Sequence, residues 1–447
     1  MKGTFKWMLV ILLLASLLSA CGGGNKGGNS GGETPAASSG TSGESSGSAS
    51  TGESSGGSAD PAAEEISGTI TFLSNRTDMI DKEYVEYARR FSEKYPNAKV
   101  EFEAITDHDQ GIKLRMSTGQ LPDVVLIPTI PNNELPNYFA PLDDLGLNDR
   151  IYFPEYKSWD GKLYGISAGA TTTGIVYNKA AFEKAGITKI PTTLDEFLEA
   201  CEKLKQAGIV PLASNFKDQW PLYPWISEIP ISIANNPNLN NERINTDTPY
   251  TMDGPYGQAM SIVRLMHERG YLEPDVNSTN WEQSKFDVAS GKAAMYLLGN
   301  WVIPQVIGAG TTSDNVGFFP FPYDNSGKYN VLLAPDWAYG VNKDSPNLAT
   351  AKAFVKWMLE ESGFETFAGF IPVLKDMQPN VPQLAEFDSF GPTYLEAVPD
   401  SPEATDINNR AQITKEAIVQ EFILADDPAK VLDKYNNLWA NAKKAMN

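Results

Sequence analysis

Residue types that build metal and redox sites are scarce in this sequence. Among 447 residues there are two cysteines and two histidines. No cysteine pair and no His-x-x-x-His spacing occurs, which excludes the common zinc sites, and we expect no metal and no cofactor. Cys201 lies in a helical pattern and is predicted to be a small buried residue. His108 and His267 lie among charged residues and are predicted to be solvated.

Positive charge is also in short supply. The chain has 36 Lys and Arg against 56 Asp and Glu, a formal net charge of -20. So acidic a protein is a poor candidate for binding nucleic acid or an anionic membrane surface. We therefore expect no nucleic-acid partner, and membrane contact only through an anchor.

A long apolar run occurs once, over residues 7–18, after the basic Lys2 and Lys6. About a dozen residues fit the core of a signal peptide, whereas a membrane-spanning helix needs roughly 20. The sequence predicts a signal peptide over residues 1–20. Residues 18–21 (LSAC) resemble the bacterial lipobox, which implies that Cys21 is lipidated and becomes the new N-terminus. The alternative is an ordinary signal peptide with a chance cysteine.

Residues 22–65 contain no aromatic residue and are dominated by Gly, Ser, Ala and Thr. Such a segment cannot bury enough apolar surface to offset its chain entropy, so residues 21–65 are predicted to be a lipidated Cys and a flexible tether. A tether of this length suits a protein that must clear a thick cell wall. That indicates a Gram-positive bacterium and a place on the outer face of its cell membrane.

Roughly 380 residues follow, more than one hydrophobic core usually supports, so two lobes are expected. Strand and helix patterns alternate. Residues 68–73 and 100–105 read as strands around an amphipathic helix near residues 80–95, and Thr193 with Glu196 forms a capping box. This alternation predicts an α/β fold with mainly parallel pairing. Residues 235–253 read as a loop and the last forty residues as helical.

A series of short motifs runs through the chain in a fixed order. They are residues 91–100 (FSEKYPNAKV), 119–124 (GQLPDV), 160–165 (DGKLYG), 177–179 (YNK), 182–187 (FEKAGI), 191–197 (PTTLDEF), 291–295 (GKAAM) and 299–301 (GNW). In order and spacing they resemble the family 1 extracellular solute-binding proteins of ATP-driven (ABC) importers, the group that contains maltose-binding protein. Two positions depart from the family pattern: Ser167, where proline is common, and Leu194, where tryptophan is common.

The resemblance implies a two-lobed α/β fold of the type II periplasmic-binding-protein kind, with two or three crossing segments as the hinge. The ligand would lie in the cleft between the lobes and be captured by hinge closure, and the permease would recognise the closed form. The protein would be a monomer and not an enzyme. We expect the first lobe to comprise residues 66–170 and about 333–390, and the second about 171–332 and 391–447.

Candidate ligand-binding residues lie at strand ends and in aromatic segments. A sugar ring offers an apolar face to aromatic side chains and an edge of hydroxyls to polar ones, so clustered aromatics favour a carbohydrate, and their density an oligosaccharide. The polar run after the first strand contributes three candidates, although it also reads as a capping turn with solvated charge. The resemblance adds Trp301, which follows residues 299–300, and the pair Asp336 and Trp337 at the expected hinge crossing. The candidates are Asn75, Arg76, Asp78, Thr171, Trp220, Tyr223, Trp281, Trp301, Asp336 and Trp337.

Three alternatives stay open at this point. Residues 165–169 (GISAG) fit the hydrolase pattern G-x-S-x-G, but no helix is predicted to follow Ser167. A secreted glycoside hydrolase would need two carboxylates across a cleft. A binding protein of the same fold could take a non-sugar solute, and an anion would be favoured if Arg76 and a second cation faced the cleft.

Overall fold

The computed structural model of the chain describes residues 66–105 and 108–446. The predicted signal peptide, the lipidation of Cys21 and the tether fall outside the described residues. The described buried clusters all lie in one compact unit, residues 59–447. Within the described residues, no helix has the length and apolar character needed to cross a membrane.

Strands and helices alternate along the described part of the chain. The strands are β1 (Gly68–Ser74), β2 (Ala98–Ala104), β3 (Val124–Leu126), β4 (Ser158–Trp159), β5 (Lys162–Leu163), β6 (Gly165–Ser167), β7 (Ala170–Asn178), β8 (Val210–Leu212), β9 (Ala293–Gly299), β10 (Val316–Phe319), β11 (Asn330–Pro335), β12 (Ala338–Val341) and β13 (Thr393–Glu396). The helices are α1 (Glu83–Lys94), α2 (His108–Thr118), α3 (Leu135–Tyr138), α4 (Lys179–Lys184), α5 (Leu194–Gln206), α6 (Ile229–Ala234), α7 (Leu239–Glu242), α8 (Pro255–Glu268), α9 (Trp281–Ala289), α10 (Ile303–Gly308), α11 (Leu348–Glu360), α12 (Phe364–Ala368), α13 (Pro382–Asp388), α14 (Pro402–Ala411), α15 (Lys415–Leu424) and α16 (Pro428–Lys444).

The first sheet has the strand order β2-β1-β3-β12-β6. β1 pairs in parallel with β2 and β3, while β12 runs antiparallel to β3 and β6. The apolar stripe of α1, with Tyr84 and Phe91, packs with α11 residues Phe354 and Trp357 in one buried cluster with this sheet. The core position predicted for Cys201, in the other half of the molecule, is likewise confirmed.

The second sheet has the order β13-β11-β7-β9-β8, with β10 also paired to β7. Here β7 runs antiparallel to β9, β10 and β11, so the expectation of mainly parallel pairing is wrong for this sheet. The reason is topological. β7 enters from the first sheet and β11 leads back to it, so these two strands run in opposite directions, whereas parallel neighbours would need a crossover connection. α5, α8 and α15 supply the large buried cluster that covers it.

The chain passes between the two sheets at three places. Residues 168–169 join β6 to β7, and residues 336–337 join β11 to β12. The third passage is near Ile371, which forms a β-bridge with Ala170 before the chain reaches α13 against β10. The lobe limits expected from the sequence stay a prediction, and these passages are where we propose that the hinge lies.

Two local predictions are wrong. His108 is buried, at 3% exposure, because its Nε2 lies 2.9 Å from the carbonyl oxygen of Leu126 at the end of β3. The segment 235–253 contains α7 and a 3₁₀ turn, Arg243–Asn245, in place of a continuous loop. The buried Arg243 orders this region by donating a hydrogen bond to the hydroxyl of Tyr250.

Candidate functional site

Three tryptophans from separate segments meet beside the passages between the sheets. The ring of Trp220 lies 4.8 Å from that of Trp281 and 5.9 Å from that of Trp301, and the last two are 6.0 Å apart. Trp301 packs against the buried clusters of both sheets, and Trp220 keeps 39% of its surface exposed. This tryptophan cluster offers a wide, partly exposed aromatic surface, which suits the apolar faces of sugar rings.

Local structure positions two members of the tryptophan cluster, Trp281 and Trp301. Trp281 begins α9, where Asp218 accepts its backbone N–H at 2.8 Å and Asn280 caps the helix. Trp301 lies in a 3₁₀ turn directly after β9, with its indole against the backbone of Gly299. A Cβ at that glycine would collide with the indole Nε1 and Cδ1 atoms. The glycine in the GNW motif is therefore what lets the indole fold back over the strand end.

Asn300, between that glycine and Trp301, ties two of the passages together. It is fully buried; its Oδ1 accepts a hydrogen bond from the Thr172 N–H at 2.7 Å, and its Nδ2 donates to the Gly369 carbonyl at 2.6 Å. Both partners are backbone groups near the points where the chain leaves or enters a sheet. The side chain thus fixes the β7 end and the third passage to the same strand terminus.

The polar run after β1 is dominated by one ion pair. Arg76 donates two hydrogen bonds to Asp78, from Nε and Nη2, each 2.8 Å long. These bonds from Arg76 lower the pKa of the Asp78 carboxyl, and the guanidinium also lies 5.6 Å from the ring centre of Phe367. Asn75 is half-buried beside them. The pairing leaves Arg76 largely neutralised, which argues against an anion site built on it alone.

Lys285 of α9 is a charged neighbour of this run that the sequence did not suggest. Its ammonium lies 5.3 Å from the Trp281 ring centre, pairs with Glu282 at 2.8 Å, and contributes to lowering the pKa of Asp78. α9 belongs to the second sheet's half and Asp78 to the first. The charge of a residue in the second sheet's half therefore acts on a carboxyl of the first.

The passage from β11 to β12 carries the predicted pair Asp336 and Trp337. Both are half-buried, and the Asp336 N–H donates to the Gly169 carbonyl at 2.9 Å. Burial raises the pKa of the Asp336 carboxyl to about 6. The ring of Trp337 meets the buried His108 edge-on, with centroids 5.2 Å apart. His108 therefore packs against the ring of Trp337 and helps to hold it in place.

The hydroxyl of Ser167 is hydrogen-bonded to backbone at the passage from β6 to β7, so it is not presented as a nucleophile. Its hydroxyl donates to the Gly169 carbonyl at 2.6 Å and lies 3.1 Å from the Asp336 carbonyl oxygen. β6 is followed by β7, so the strand-turn-helix that a nucleophile elbow requires is missing. The G-x-S-x-G match is a coincidence of composition.

Thr171 and Tyr223 lie at the β7 end of the site. The Thr171 hydroxyl is 3.4 Å from the Ala334 carbonyl oxygen, a long contact that leaves it free for other partners. The hydroxyl of Tyr223 lies 3.3 Å from that of Thr173, and burial raises the pKa of this phenol. The irregular backbone predicted from the prolines near Tyr223 consists of a 3₁₀ turn and a π-helical turn, Pro224–Glu228.

The structure brings most of the ten predicted residues to one region. Trp220, Trp281 and Trp301 touch one another, and the hydroxyl of Tyr223 neighbours the indole of Trp301. The charge of Arg76 acts on the carboxyl of Asp336. Ligand contact by these residues stays a prediction. In the range 66–446, leaving out 106–107, no three His, Cys, Asp or Glu side chains are grouped to hold a metal ion.

Comparison with known proteins agrees with this architecture. A family model described as "Bacterial extracellular solute-binding protein" matches residues 77–363, more than half of the chain. A curated relative, the multiple sugar-binding protein of Streptococcus mutans, is 25% identical over 308 residues, which are 66% of this chain and 72% of the relative.

Two solved structures from Bifidobacterium animalis subsp. lactis share the fold. One, a binding protein of an ABC transporter in complex with mannobiose, has a TM-score of 0.76 and 28% identity, and the match covers 86% of this chain and 96% of that one. The other, a manno-oligosaccharide-specific solute-binding protein in complex with mannotriose, has a TM-score of 0.76 and 27% identity over the same shares. The two-lobed type II fold implied by the motifs is thereby confirmed.

Proposed function

The chain belongs to the bacterial extracellular solute-binding protein family, and from this premise we propose that it captures an oligosaccharide between its two lobes and delivers it to an ABC permease. The family consists of solute-binding proteins and not of enzymes, and it acts outside the cytoplasm. The observation that carries the carbohydrate assignment is the tryptophan cluster, since three adjoining tryptophan rings from separate segments, with Trp220 partly exposed, supply an aromatic surface on which sugar rings can stack.

Manno-oligosaccharides are the first sugars to try. The two solved structures that bind them are the comparisons at 27% and 28% identity, and each match covers 96% of the known chain. Polar side chains that can pair with sugar hydroxyls are also predicted for this site, among them Asp78, Thr171, Tyr223 and Asp336. An acidic sugar is less well served, because Arg76 is already paired with Asp78.

The ligand class can be tested by thermal unfolding of residues 59–447 with a panel of sugars, peptides and metal ions. A sugar present at 100 times its Kd stabilises the folded state by about 2.7 kcal/mol. We expect stabilisation by mannobiose, mannotriose or a related oligosaccharide. Stabilisation by peptides or metals, with none by any sugar, would contradict the assignment. Chromatography of the same mixtures after long incubation should show intact sugar; cleavage products would favour the glycoside hydrolase.

We further propose that Cys21 carries the lipid that holds the protein at the outer face of the cell membrane. The support is the sequence LSAC at residues 18–21 and the Gly- and Ser-rich segment that follows. Two acyl chains are enough for stable attachment, whereas one is marginal. Radiolabelled palmitate should be incorporated into the full chain and not into the Cys21→Ser variant, which should be released into the medium. Equal labelling of both would refute the anchor.

Delivery to a permease predicts a loss of transport. Cells without this gene should fail to take up the radiolabelled sugar that the purified protein binds, and a plasmid copy should restore uptake. The Trp301→Ala variant should not restore it. Unchanged uptake in the deletion strain would argue that another receptor serves the transporter.

A further inference from the structure

Glu228 carries a buried carboxylate oxygen with an unmet hydrogen-bonding need. Among the described residues, its Oε2 has no hydrogen-bond partner. Buried polar atoms in folded proteins almost always have one, because leaving a charged acceptor without a donor costs free energy. Burial raises the pKa of this carboxyl to about 7, and only the hydroxyl of Thr173 acts in the opposite direction. A hydrogen-bond donor from outside the described residues would satisfy the Oε2 atom of Glu228.

The backbone that holds Glu228 is irregular. It is the last residue of the π-helical turn Pro224–Glu228 and directly precedes α6. Turns of this kind interrupt the regular hydrogen-bond ladder and recur at functional sites. The carbonyl of Glu228 accepts a hydrogen bond from Ser232 at 3.2 Å, which anchors the main chain while the side chain stays uncommitted. The main-chain carbonyl of Glu228 is therefore hydrogen-bonded, whereas its Oε2 has no partner among the described residues.

The neighbours of the carboxylate connect it to the tryptophan cluster. The hydroxyl of Thr173, which acts to lower the pKa of the Glu228 carboxyl, lies 3.3 Å from that of Tyr223. The Tyr223 hydroxyl in turn neighbours the indole of Trp301 and the backbone of Gly299. Thr173, Tyr223 and Glu228 therefore form a polar group, here named the carboxylate subsite, directly beside the ring of Trp301.

We propose that Glu228 accepts a hydrogen bond from a hydroxyl of the sugar ring that stacks on Trp301. This assignment rests on the proposed function and adds a specificity-determining contact to it. A sugar supplies what the site lacks: an apolar face for the indole and, at its edge, hydroxyl donors within reach of an acceptor. Because Oε2 is buried in this arrangement of the lobes, the sugar reaches it when hinge motion opens the cleft.

The test compares Glu228→Gln with the unchanged protein, using residues 59–447 and the sugar that gives the largest stabilisation. Glutamine keeps the shape and removes the charge. The glutamine amide oxygen can still accept a hydrogen bond, so only the charge-assisted part of the interaction is lost, and sugar binding should weaken by about 5- to 10-fold. Glu421→Gln is the matched control, because Glu421 is a half-buried carboxylate already paired with Lys434 at 2.7 Å. That control should bind sugar as the unchanged protein does.

Monodeoxy analogues of the sugar give a second, independent measurement. The analogue that lacks the donor hydroxyl should bind the unchanged protein more weakly, and Glu228→Gln should distinguish it less strongly from the parent sugar. A Glu228→Gln affinity within twofold of the unchanged protein, or undiminished discrimination between the analogues, would overturn the assignment. If instead the unchanged protein binds no sugar, the proposed function fails and the assignment with it. Tighter binding of an amino sugar than of its neutral counterpart, lost in Glu228→Gln, would also overturn the hydroxyl contact.

Discussion

Replacing Asn300 by alanine tests how the site depends on the connections between the sheets. The side chain is fully buried and makes two hydrogen bonds, to the Thr172 N–H at 2.7 Å and the Gly369 carbonyl at 2.6 Å. Alanine leaves both backbone groups buried without a partner. Each such group costs about 1–3 kcal/mol, so we expect the free energy of unfolding to fall by about 2–6 kcal/mol.

The same loss can be expressed as a melting temperature. Unfolding entropy is about 2.1 cal/mol/K per residue, or about 0.8 kcal/mol/K for about 380 residues, so Tm should fall by about 3–7 °C. Sugar affinity should fall as well, because Asn300 holds β7 and the third passage at the base of Trp301. Calorimetric melting and sugar titration of the same preparations measure both effects.

Asn178→Ala is the matched control. Asn178 is also a buried asparagine on β7, capping α4 through the Ala181 N–H at 2.9 Å and donating to the Val288 carbonyl at 2.9 Å. It lies at the opposite end of the strand from Thr172. Asn178→Ala should therefore be destabilised to a similar degree while keeping its sugar affinity. The reasoning is refuted if Asn300→Ala melts within 1 °C of the unchanged protein (about the shift that 1 kcal/mol produces), or if both variants lose affinity equally.

Three further predictions concern single positions in the site. Trp301→Ala should weaken sugar binding by about 2 kcal/mol or more, about 30-fold in Kd, while Trp159→Ala, at an exposed tryptophan of β4, should not; equal affinities in a titration would remove Trp301 from the site. Asp336→Asn should raise Tm near pH 7 but not below pH 4. The pKa of the Asp336 carboxyl is raised from an ordinary 3.8 to about 6 in the folded protein, so ionising this group destabilises the fold as the pH rises from about 4 to about 6, and asparagine cannot ionise. Melting curves across pH check this, with exposed Asp149→Asn as control, and a gain independent of pH would contradict it. Gly299→Ala should displace the Trp301 indole, lowering stability by about 1–3 kcal/mol and weakening sugar binding; a crystal structure of the variant with the indole unmoved would refute the packing argument.

Much of the architecture could be predicted because local sequence specifies it. The amphipathic stripe of α1 and the alternation in β2 are periodic, and both elements form within a few residues of their predicted limits. The capping box is confirmed in part: Thr193 accepts the Glu196 N–H at 3.3 Å, but the Glu196 carboxylate reaches back to the Thr192 N–H. The two-lobed fold was indicated by the ordered motifs and their family resemblance, because periodicity alone predicts only an α/β fold.

The parts of the site that the sequence could not predict depend on tertiary packing. Glu228 is one of 56 acidic residues, and its place in the π-helical turn and its buried Oε2 without a partner among the described residues distinguish it. His108 was expected in solvent because its sequence neighbours are polar, yet the end of β3 covers it. The antiparallel pairing of β7 likewise follows from where the chain crosses between sheets, which no local pattern encodes.

Titration calorimetry of residues 59–447 with mannobiose, mannotriose and other di- and trisaccharides tests the central claim most directly. The account predicts saturable one-to-one binding of at least one of these sugars, with a quench or shift of tryptophan fluorescence that follows the same isotherm, since the cluster of Trp220, Trp281 and Trp301 forms the surface for the sugar. Saturable binding of a peptide, an amino acid or a metal ion, with neither heat nor a fluorescence change for any sugar, would contradict it.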